Sequence, residues 1–166
     1  WDVKTYILDS DPHCPASTVC TRCIAGNPTE FEPVYQFGQM VDMLTFEIEN
    51  VNLPALMKLR DEGKRINPDP VALATIQDKG KQKQFFLAHG IPSPAFTLTD
   101  TREEILRAVD DGQLRFPFVQ KTRTAGYDGR GVAVLRGEED VPKLLEGPSV
   151  IEDAVDIEKE LAVIVA

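Results

Sequence analysis

A glycine-rich run between two apolar stretches constrains the fold of this chain more than any other feature. The run G-Y-D-G-R-G, residues 126–131, follows FPFVQK (116–121) and leads into GVAVL (131–135). Short apolar runs rich in Val and Phe predict β-strands, so the glycines lie in the connection of a predicted hairpin. Closely spaced glycines let backbone N–H groups turn towards phosphate oxygens, because no Cβ stands in the way.

The strands on both sides of the run decide which kind of phosphate loop is possible. A Walker A loop or a Rossmann fingerprint leads from a strand into a helix, and the GK[ST] ending of a Walker A loop is absent. The sequence therefore predicts a flap that folds over a polyphosphate. An ordinary glycine-rich hairpin turn is the alternative, and the run alone does not exclude it.

Two neighbouring segments strengthen the phosphate hypothesis. Lys121 ends the strand that enters the flap, where its ammonium can reach an α- or β-phosphate oxygen. The predicted extended segment 152–155 offers backbone donors and acceptors to an adenine edge, and Glu160 offers a carboxylate to ribose hydroxyls. A solvated lysine and a solvated acidic edge strand are the alternatives.

Strands and helices alternate in the first half of the chain. The pattern predicts strands at 3–9 and 41–49, a helix at 29–36 ended by Gly38, a helix at 52–63 with Asn52 as its N-cap, and an extended piece at 64–67. Such alternation predicts βαβ units and a parallel sheet, and so an α/β domain over residues 1–76.

The second half has a different pattern. Asp78 is predicted to cap a helix that runs to His89, and Thr101 with Glu104 forms a capping box for a second helix. A further helix is predicted over 138–146, and an apolar strand over 161–166.

Glu47 and Glu49 are candidate ligand contacts in the first half. They lie near the carboxyl end of a predicted parallel strand, which in open α/β sheets faces the ligand crevice. Strand alternation places both on one face, with Ile48 opposite. A charged start to a loop is an equally good explanation of the pattern.

Composition excludes several classes of function. The net charge of −9 argues against a nucleic-acid partner, whose phosphates attract clustered Lys and Arg. No apolar run approaches the roughly 20 residues that cross a bilayer, and no signal peptide is evident, so we expect no membrane partner and a cytoplasmic location. A phosphorylated small molecule remains possible, because it needs only a few local cations.

Three cysteines lie close together in the sequence. Cys14, Cys20 and Cys23, with His13 beside them, offer four ligands that zinc accepts. Structural zinc sites usually take paired ligands from two knuckles, and that pairing is absent, so free reduced thiols are the favoured interpretation.

In combination, these segments resemble the ATP-grasp ligases, and among them the 5-(carboxyamino)imidazole ribonucleotide synthase family. The resemblance is carried by FEIENV, ALATIQDKGKQKQFF, GIPSPAF, FPFVQKTRTAGYDGRG and IEDAVDIEKELAVIVA. It implies an α/β fold in which a parallel-sheet pre-ATP-grasp domain (1–76) precedes an α+β ATP-grasp domain. That second domain would comprise an A subdomain with the flap (77–145) and the start of a B subdomain (146–166).

The same resemblance implies a reaction and its partners. Members use ATP, Mg²⁺ and bicarbonate to carboxylate aminoimidazole ribonucleotide through carboxyphosphate, in purine biosynthesis, and are commonly homodimers. Nearby alternatives are formate-dependent glycinamide ribonucleotide transformylase and biotin carboxylase, and the Tyr-Asp-Gly-Arg run favours the imidazole enzyme. A non-catalytic ATP-binding module that self-associates through open sheet edges is the alternative from another class.

The resemblance also implies roles for individual residues. Lys79 and Lys121 would contact ATP phosphates, Glu160 the ribose, and Glu47 the aminoimidazole ribonucleotide. The flap and the adenine-contacting segment would comprise Gly126, Tyr127, Asp128, Gly129, Arg130, Gly131 and Val132, and Glu152, Asp153, Ala154 and Val155. Within the flap, Tyr127, Asp128 and Arg130 would line the carboxyphosphate and amine region, where an Arg fork suits a dianion.

Three departures from the family pattern accompany the resemblance. Ala125 stands where the family usually has a Gly, and the glycine-rich βα turn that usually precedes Val3 is absent. The acidic Mg²⁺ ligands are expected in a further C-terminal half. Trp1 at the start and an apolar strand still running at the end suggest a fragment truncated at both ends, so we expect the chain by itself to be inactive.

Overall fold

A computed structural model of the chain describes residues 2–124, 126 and 131–163. It divides into two compact units, Trp1–Gln77 and Asp78–Ala166. Unit 1 contains β1 (Tyr6–Asp9), β2 (Arg22–Ala25), α1 (Phe31–Gln39), β3 (Met43–Thr45), α2 (Leu53–Asp61), β4 (Arg65–Asn67) and α3 (Pro70–Ile76). Unit 2 contains α4 (Lys79–Ala88), β5 (Phe96–Thr99), α5 (Arg102–Asp110), β6 (Phe118–Thr122), β7 (Val132–Leu135) and β8 (Ser149–Asp153).

The strands of unit 1 pair in parallel, as the alternating pattern predicts. Strand β1 pairs with β2, and β3 pairs with β4 with Leu44 opposite Ile66. Helix α2 connects β3 to β4, which completes a βαβ unit. The Asn52 side chain accepts a hydrogen bond from the Ala55 N–H at 3.0 Å, and this confirms the predicted N-cap of α2.

Helices α1 and α2 pack closely, and this corrects the predicted end of α1. Gly38 was predicted to terminate a helix, but it lies inside α1 and is buried. A Cβ at this position would overlap with the side chain of Leu59, a fully buried residue of α2. The glycine therefore serves close helix packing instead of helix termination.

One further prediction for unit 1 is wrong, and one helix was not predicted. The strand predicted over 41–49 ends at Thr45, so Glu47 and Glu49 follow the strand instead of alternating along it, and Ile48 is half exposed. Helix α3 was not predicted, although Asp69 caps it and Pro70 occupies its first turn.

Unit 2 is built on a four-stranded antiparallel sheet in the order β5-β8-β6-β7. Its core joins one face of α5 to the sheet through Ile105, Phe118, Leu135 and Ile151, which are at most 2% exposed. Thr101 caps α5 by accepting from the Glu104 N–H at 3.3 Å. The Glu104 carboxylate accepts from the Asp100 N–H at 2.8 Å, whereas in an ideal capping box it would accept from the N–H of the N-cap residue, here Thr101.

The end of unit 2 differs from the sequence prediction. Residues predicted as a helix over 138–146 form a 3₁₀ helix, Glu138–Lys143, because Pro142 cannot donate an α-helical hydrogen bond. The predicted strand over 161–166 is wrong for its described residues, since 161–163 form no strand and Leu161 is 83% exposed. No helix in the described part of the chain combines the length and apolar character needed to cross a membrane.

Candidate functional site

The sheet of unit 2 brings Lys121 and Glu152 together. In the antiparallel pair β6–β8, Lys121 lies opposite Val150, and Glu152 lies opposite Val119. Residues two apart on a strand share a face, so the two side chains are diagonal neighbours on one face of the sheet. The Lys121 ammonium donates to Glu152 Oε2 at 2.7 Å. Sequence analysis predicted both residues for the nucleotide site.

A second lysine approaches the same carboxylate from helix α4. Lys83 Nζ lies 3.2 Å from Glu152 Oε1, donates to the Pro94 carbonyl at 3.2 Å and also donates to Ser93 Oγ. The same ammonium stands 5.3 Å from the centre of the Phe96 ring. Lys83 is 5% exposed and Glu152 is 8% exposed, so this ion pair is buried.

The cluster of Lys83, Lys121 and Glu152 carries an excess of positive charge. One carboxylate faces two ammonium groups, which leaves one net positive charge at the strand end that enters the flap. Burial is the largest influence on the pKa of Glu152 and raises it. The hydrogen bonds and charges of Lys121 and then Lys83 outweigh burial, so the pKa lies below its usual range and the carboxyl is ionised at neutral pH.

An ion pair fixes the start of α4 to the end of β6. Arg123 donates from Nε to Asp78 Oδ1 at 3.0 Å and from Nη2 to Oδ2 at 2.6 Å. Asp78 also caps α4, accepting from the Gly80 N–H at 2.8 Å. The Lys79 N–H donates to the Arg123 carbonyl at 2.9 Å, so Lys79 begins its helix beside the strand that enters the flap.

The base of the flap closes at two glycines. Gly131 has φ +82°, and a Cβ on it would lie 3.0 Å from Gly126 Cα and would overlap with Thr122 Oγ1. The Thr122 N–H donates to the Gly131 carbonyl at 2.9 Å, and Val132 then lies opposite Lys121. The roles predicted for four flap residues lie outside the described part of the chain: Tyr127, Asp128, Gly129 and Arg130.

The predicted adenine and ribose contacts lie at the end of strand β8 and after it. The Asp153 N–H donates to the Ala95 carbonyl at 3.0 Å, and the Ala154 N–H donates to the Pro117 carbonyl at 3.3 Å. These two donors are therefore used within the protein, whereas Val155 is 57% exposed beyond the strand end. Glu160 is exposed. Their contacts to a nucleotide stay predictions.

Glu47 belongs to unit 1, where it is exposed just after the carboxyl end of β3. The chain that follows is held by Gln77, whose Nε2 donates to the Glu49 carbonyl at 2.7 Å and to the Val51 carbonyl at 3.0 Å. The contact of Glu47 with a ribonucleotide stays a prediction.

The three cysteines of unit 1 are free thiols, and Cys14 is buried. Burial raises the pKa of the Cys23 thiol, and a hydrogen bond with Cys14 raises it further. Across residues 2–124, 126 and 131–163, no group of three or more His, Cys, Asp or Glu side chains is arranged to hold a metal ion. Within these residues, neither zinc nor Mg²⁺ is offered such a group of ligands.

A groove of about 620 Å³ lies in unit 1. It is lined by residues of β1 and β3 and by the last turn of α1, including Tyr6, Phe37 and Leu44. Strand β1 pairs with β2 and strand β3 pairs with β4, so each of these two-stranded sheets has edge strands. Self-association through such edges stays a prediction.

Three residues that hold the candidate site together were not predicted from the sequence. Lys83 lies on a polar helix, KGKQKQFFLA, whose pattern does not show which lysine is buried. Arg123 was not recognised as the partner of Asp78, 45 positions away. Gln120, fully buried beside Lys121, has no distinguishing sequence signal.

The matches to family models define the class of protein as a preATP-grasp domain followed by ATP-grasp structure. Residues 1–77 match the ribonucleotide synthetase preATP-grasp domain family, and residues 84–166 match the ATP-grasp domain family. The similarity to individual proteins is more specific. N5-carboxyaminoimidazole ribonucleotide synthase of Synechococcus elongatus is 33% identical over 172 residues, which cover 99% of this chain and 42% of that protein.

Solved structures agree with these matches. N5-carboxyaminoimidazole ribonucleotide synthetase of Thermotoga maritima has a TM-score of 0.79 and 32% identity, over 93% of this chain and 40% of that one. The Aspergillus clavatus N5-carboxyaminoimidazole synthase in complex with ADP and 5-aminoimidazole ribonucleotide has a TM-score of 0.79 and 27% identity, over 95% of this chain and 42% of that one. The chain belongs to the N5-carboxyaminoimidazole ribonucleotide synthase family of ATP-grasp proteins. It spans well under half the length of these relatives.

Proposed function

We propose that this chain supplies the preATP-grasp domain and the phosphate-binding part of an ADP-forming ligase that carboxylates aminoimidazole ribonucleotide. The observation that carries the proposal is the buried cluster of Lys83, Glu152 and Lys121 at the strand that enters the flap. Its surplus positive charge has no acidic partner in the pairs that the cluster forms, and a nucleotide phosphate is the anion that a glycine-rich flap admits.

Each residue is proposed to contact a different part of the nucleotide or of the second substrate. Lys121, whose side chain is one-third exposed, contacts a phosphate oxygen, and Lys79 contributes a second cation from the first turn of α4. The flap covers the phosphates, with Gly126 and Gly131 at its base. The segment Glu152–Val155 borders the adenine, and Glu160 binds the ribose. In unit 1, Glu47 contacts the aminoimidazole ribonucleotide.

The proposed reaction has two steps. A bicarbonate oxygen attacks the γ-phosphorus of ATP, and ADP leaves, so that carboxyphosphate forms. The exocyclic amine then attacks the carboxyl carbon and inorganic phosphate leaves. Tyr127, Asp128 and Arg130 are proposed to line this region, where catalysis consists mainly of positioning and charge stabilisation.

Further partners of the proposed enzyme follow from the family. We expect Mg²⁺ to accompany the nucleotide, although the described residues of this chain form no ligand group for it. A homodimeric enzyme and a cytoplasmic location also stay predictions.

The reaction should be assayed with a full-length protein that contains this chain and is as long as its relatives. ADP release should require both bicarbonate and aminoimidazole ribonucleotide, and omission of either should abolish it. Lys121→Met should reduce the rate strongly, whereas Lys143→Met, which removes a lysine with a 64% exposed side chain, should leave it nearly unchanged. ADP release only with glycinamide ribonucleotide and formate would identify the rival transformylase and overturn the proposal.

A further inference from the structure

Lys83 is more deeply buried than the other two lysines of helix α4. A lysine ammonium is almost never fully buried unless it is paired, because removal of the charge from water is costly. Lys83 is 5% exposed, although it occupies a helix on which Lys79 is half-buried and Lys81 is exposed. Its burial therefore reflects what its ammonium contacts.

We propose that Lys83 is a positioning residue of the nucleotide site: its ammonium offsets the Glu152 carboxylate from the buried side and so leaves Lys121 with an uncompensated charge for a phosphate. This inference rests on the proposed function for the identity of the anion. Lys83 then acts through Glu152 and Lys121 and does not contact the nucleotide itself.

The hydrogen bonds of Lys83 show why it acts indirectly. An ammonium has three N–H donors. Lys83 has three acceptors, Ser93 Oγ, the Pro94 carbonyl and Glu152 Oε1, and the Phe96 ring lies beside it. All three donors are thus used within the protein. Lys121 has a more exposed side chain and makes its ion pair with the other oxygen of the same carboxylate.

Charge counting gives the consequence of removing Lys83. With Lys83 present, the Glu152 carboxylate is neutralised from the buried side, and the cluster of Lys83, Glu152 and Lys121 keeps a net positive charge of one. Without Lys83, an ionised Glu152 would neutralise Lys121, and the site would lose its attraction for phosphate. A protonated Glu152 would release Lys121 and restore that attraction, so the role of Lys83 can be detected through pH.

The groups that face Glu152 make its titration simple to interpret. Lys121 approaches from β6 and Lys83 from α4, and both lower the pKa of Glu152. On its other side β8 pairs with β5, where Phe96 lies opposite Glu152 and cannot titrate. Ser93, which accepts a hydrogen bond from Lys83, is uncharged.

The test measures Mg·ADP binding by calorimetry in the wild type and in three variants, from about pH 4.3, the ordinary glutamate pKa, to about pH 8.5. Lys83→Met should weaken binding about tenfold or more at pH 8, and the deficit relative to the wild type should shrink as the pH falls. Lys83→Met/Glu152→Gln should recover most of the affinity and lose the added pH dependence. Lys81→Met, which removes an exposed lysine of the same helix, should match the wild type.

A purely structural role for Lys83 predicts a different result. Lys83→Met would then weaken binding equally at every pH, and Glu152→Gln would not rescue it; either result would overturn the inference. The double variant also removes the unpaired buried carboxylate, so it remains informative if Lys83→Met alone fails to fold.

A ligand-free measurement separates this inference from the proposed function. Carboxyl ¹³C NMR should show that the pKa of Glu152 rises in Lys83→Met relative to the wild type, because burial is then opposed by one ammonium only. An unchanged pKa of Glu152 would overturn the role of Lys83. Absence of Mg·ADP binding by the wild-type protein would overturn the nucleotide site, while this titration would still decide whether Lys83 controls Glu152.

Discussion

Asp78 and Arg123 form a two-pronged ion pair, with Nε–Oδ1 and Nη2–Oδ2 distances of 3.0 Å and 2.6 Å. The pair links the N-cap of α4 to the residue just after β6, and so fixes the helix that carries Lys79 and Lys83 to the strand that carries Lys121. Gly80 allows the approach, because a Cβ there would lie 2.7 Å from Arg123 Nε.

Asp78→Asn should separate the charge of this residue from its capping role, since Asn caps helices as well as Asp does. We expect a loss of roughly 1.5–3 kcal/mol in the free energy of unfolding at pH 7, as for hydrogen bonds to charged groups. Urea unfolding measures it. The matched control Asp110→Asn changes an exposed carboxylate at the end of α5 and should cost little.

The pH dependence of stability gives a second check on Asp78. Its hydrogen bonds with Arg123 lower its pKa in the folded chain, and they outweigh the opposing effect of burial. A lowered pKa means that the stabilisation is fully present above the unfolded-state pKa of about 3.9 and is lost as the pH falls through the folded-state value. Asp78→Asn should lack this acid-side loss; an identical pH profile in the variant would contradict the assignment.

Gly131→Ala should destabilise unit 2 and weaken nucleotide binding. The position has φ +82°, and a Cβ would meet Thr122 and Gly126 at the base of the flap. Gly112→Ala is the matched control, since its φ is +70° but nothing lies within 4 Å of its Cβ. Both changes carry the backbone cost of about 1–2 kcal/mol, and crowding should add roughly 1–3 kcal/mol at Gly131 alone. Equal unfolding free energies for the two variants would show that the close approach is unimportant.

Gln120→Met should cost about 1–3 kcal/mol of unfolding free energy, because the side chain of Gln120 satisfies several buried groups. Its amide donates to the Leu145 carbonyl and to Ser149 Oγ, each at 2.9 Å, and accepts from the Leu145 N–H at 2.8 Å. Methionine has a similar length but cannot replace these bonds. Gln113→Met changes an exposed residue and provides the control for thermal unfolding. A loss no greater than that of the control would contradict this role.

Much of the fold follows from local sequence signals. Asn52, Asp78 and Thr101 cap the three helices for which they were predicted, and glycines with positive φ follow those helices at 63, 90 and 112. These signals are local because a cap or a turn needs only the residues beside it.

The errors arise where distant residues decide the structure. In the sequence Gly38 resembles a helix terminator, and only the nearby side chain of Leu59 shows that it serves helix packing. The apolar residues from 161 suggest a strand, but a strand also needs a neighbouring strand to pair with. The candidate site also combines residues with a local sequence signal and residues whose role depends on distant packing. Lys121 and Glu152 were predicted, whereas the burial of Lys83 depends on how α4 packs against the sheet.

The most direct test of the proposed phosphate site is calorimetric binding of Mg·ADP to the wild-type protein and to Lys121→Ala, with Lys143→Ala as the control. We expect Lys121→Ala to weaken binding by roughly 1.5–3 kcal/mol, the value of a charged hydrogen bond, and Lys143→Ala to bind as the wild type does. Equal affinities of Lys121→Ala and the wild type would contradict a phosphate site at the cluster of Lys83, Lys121 and Glu152.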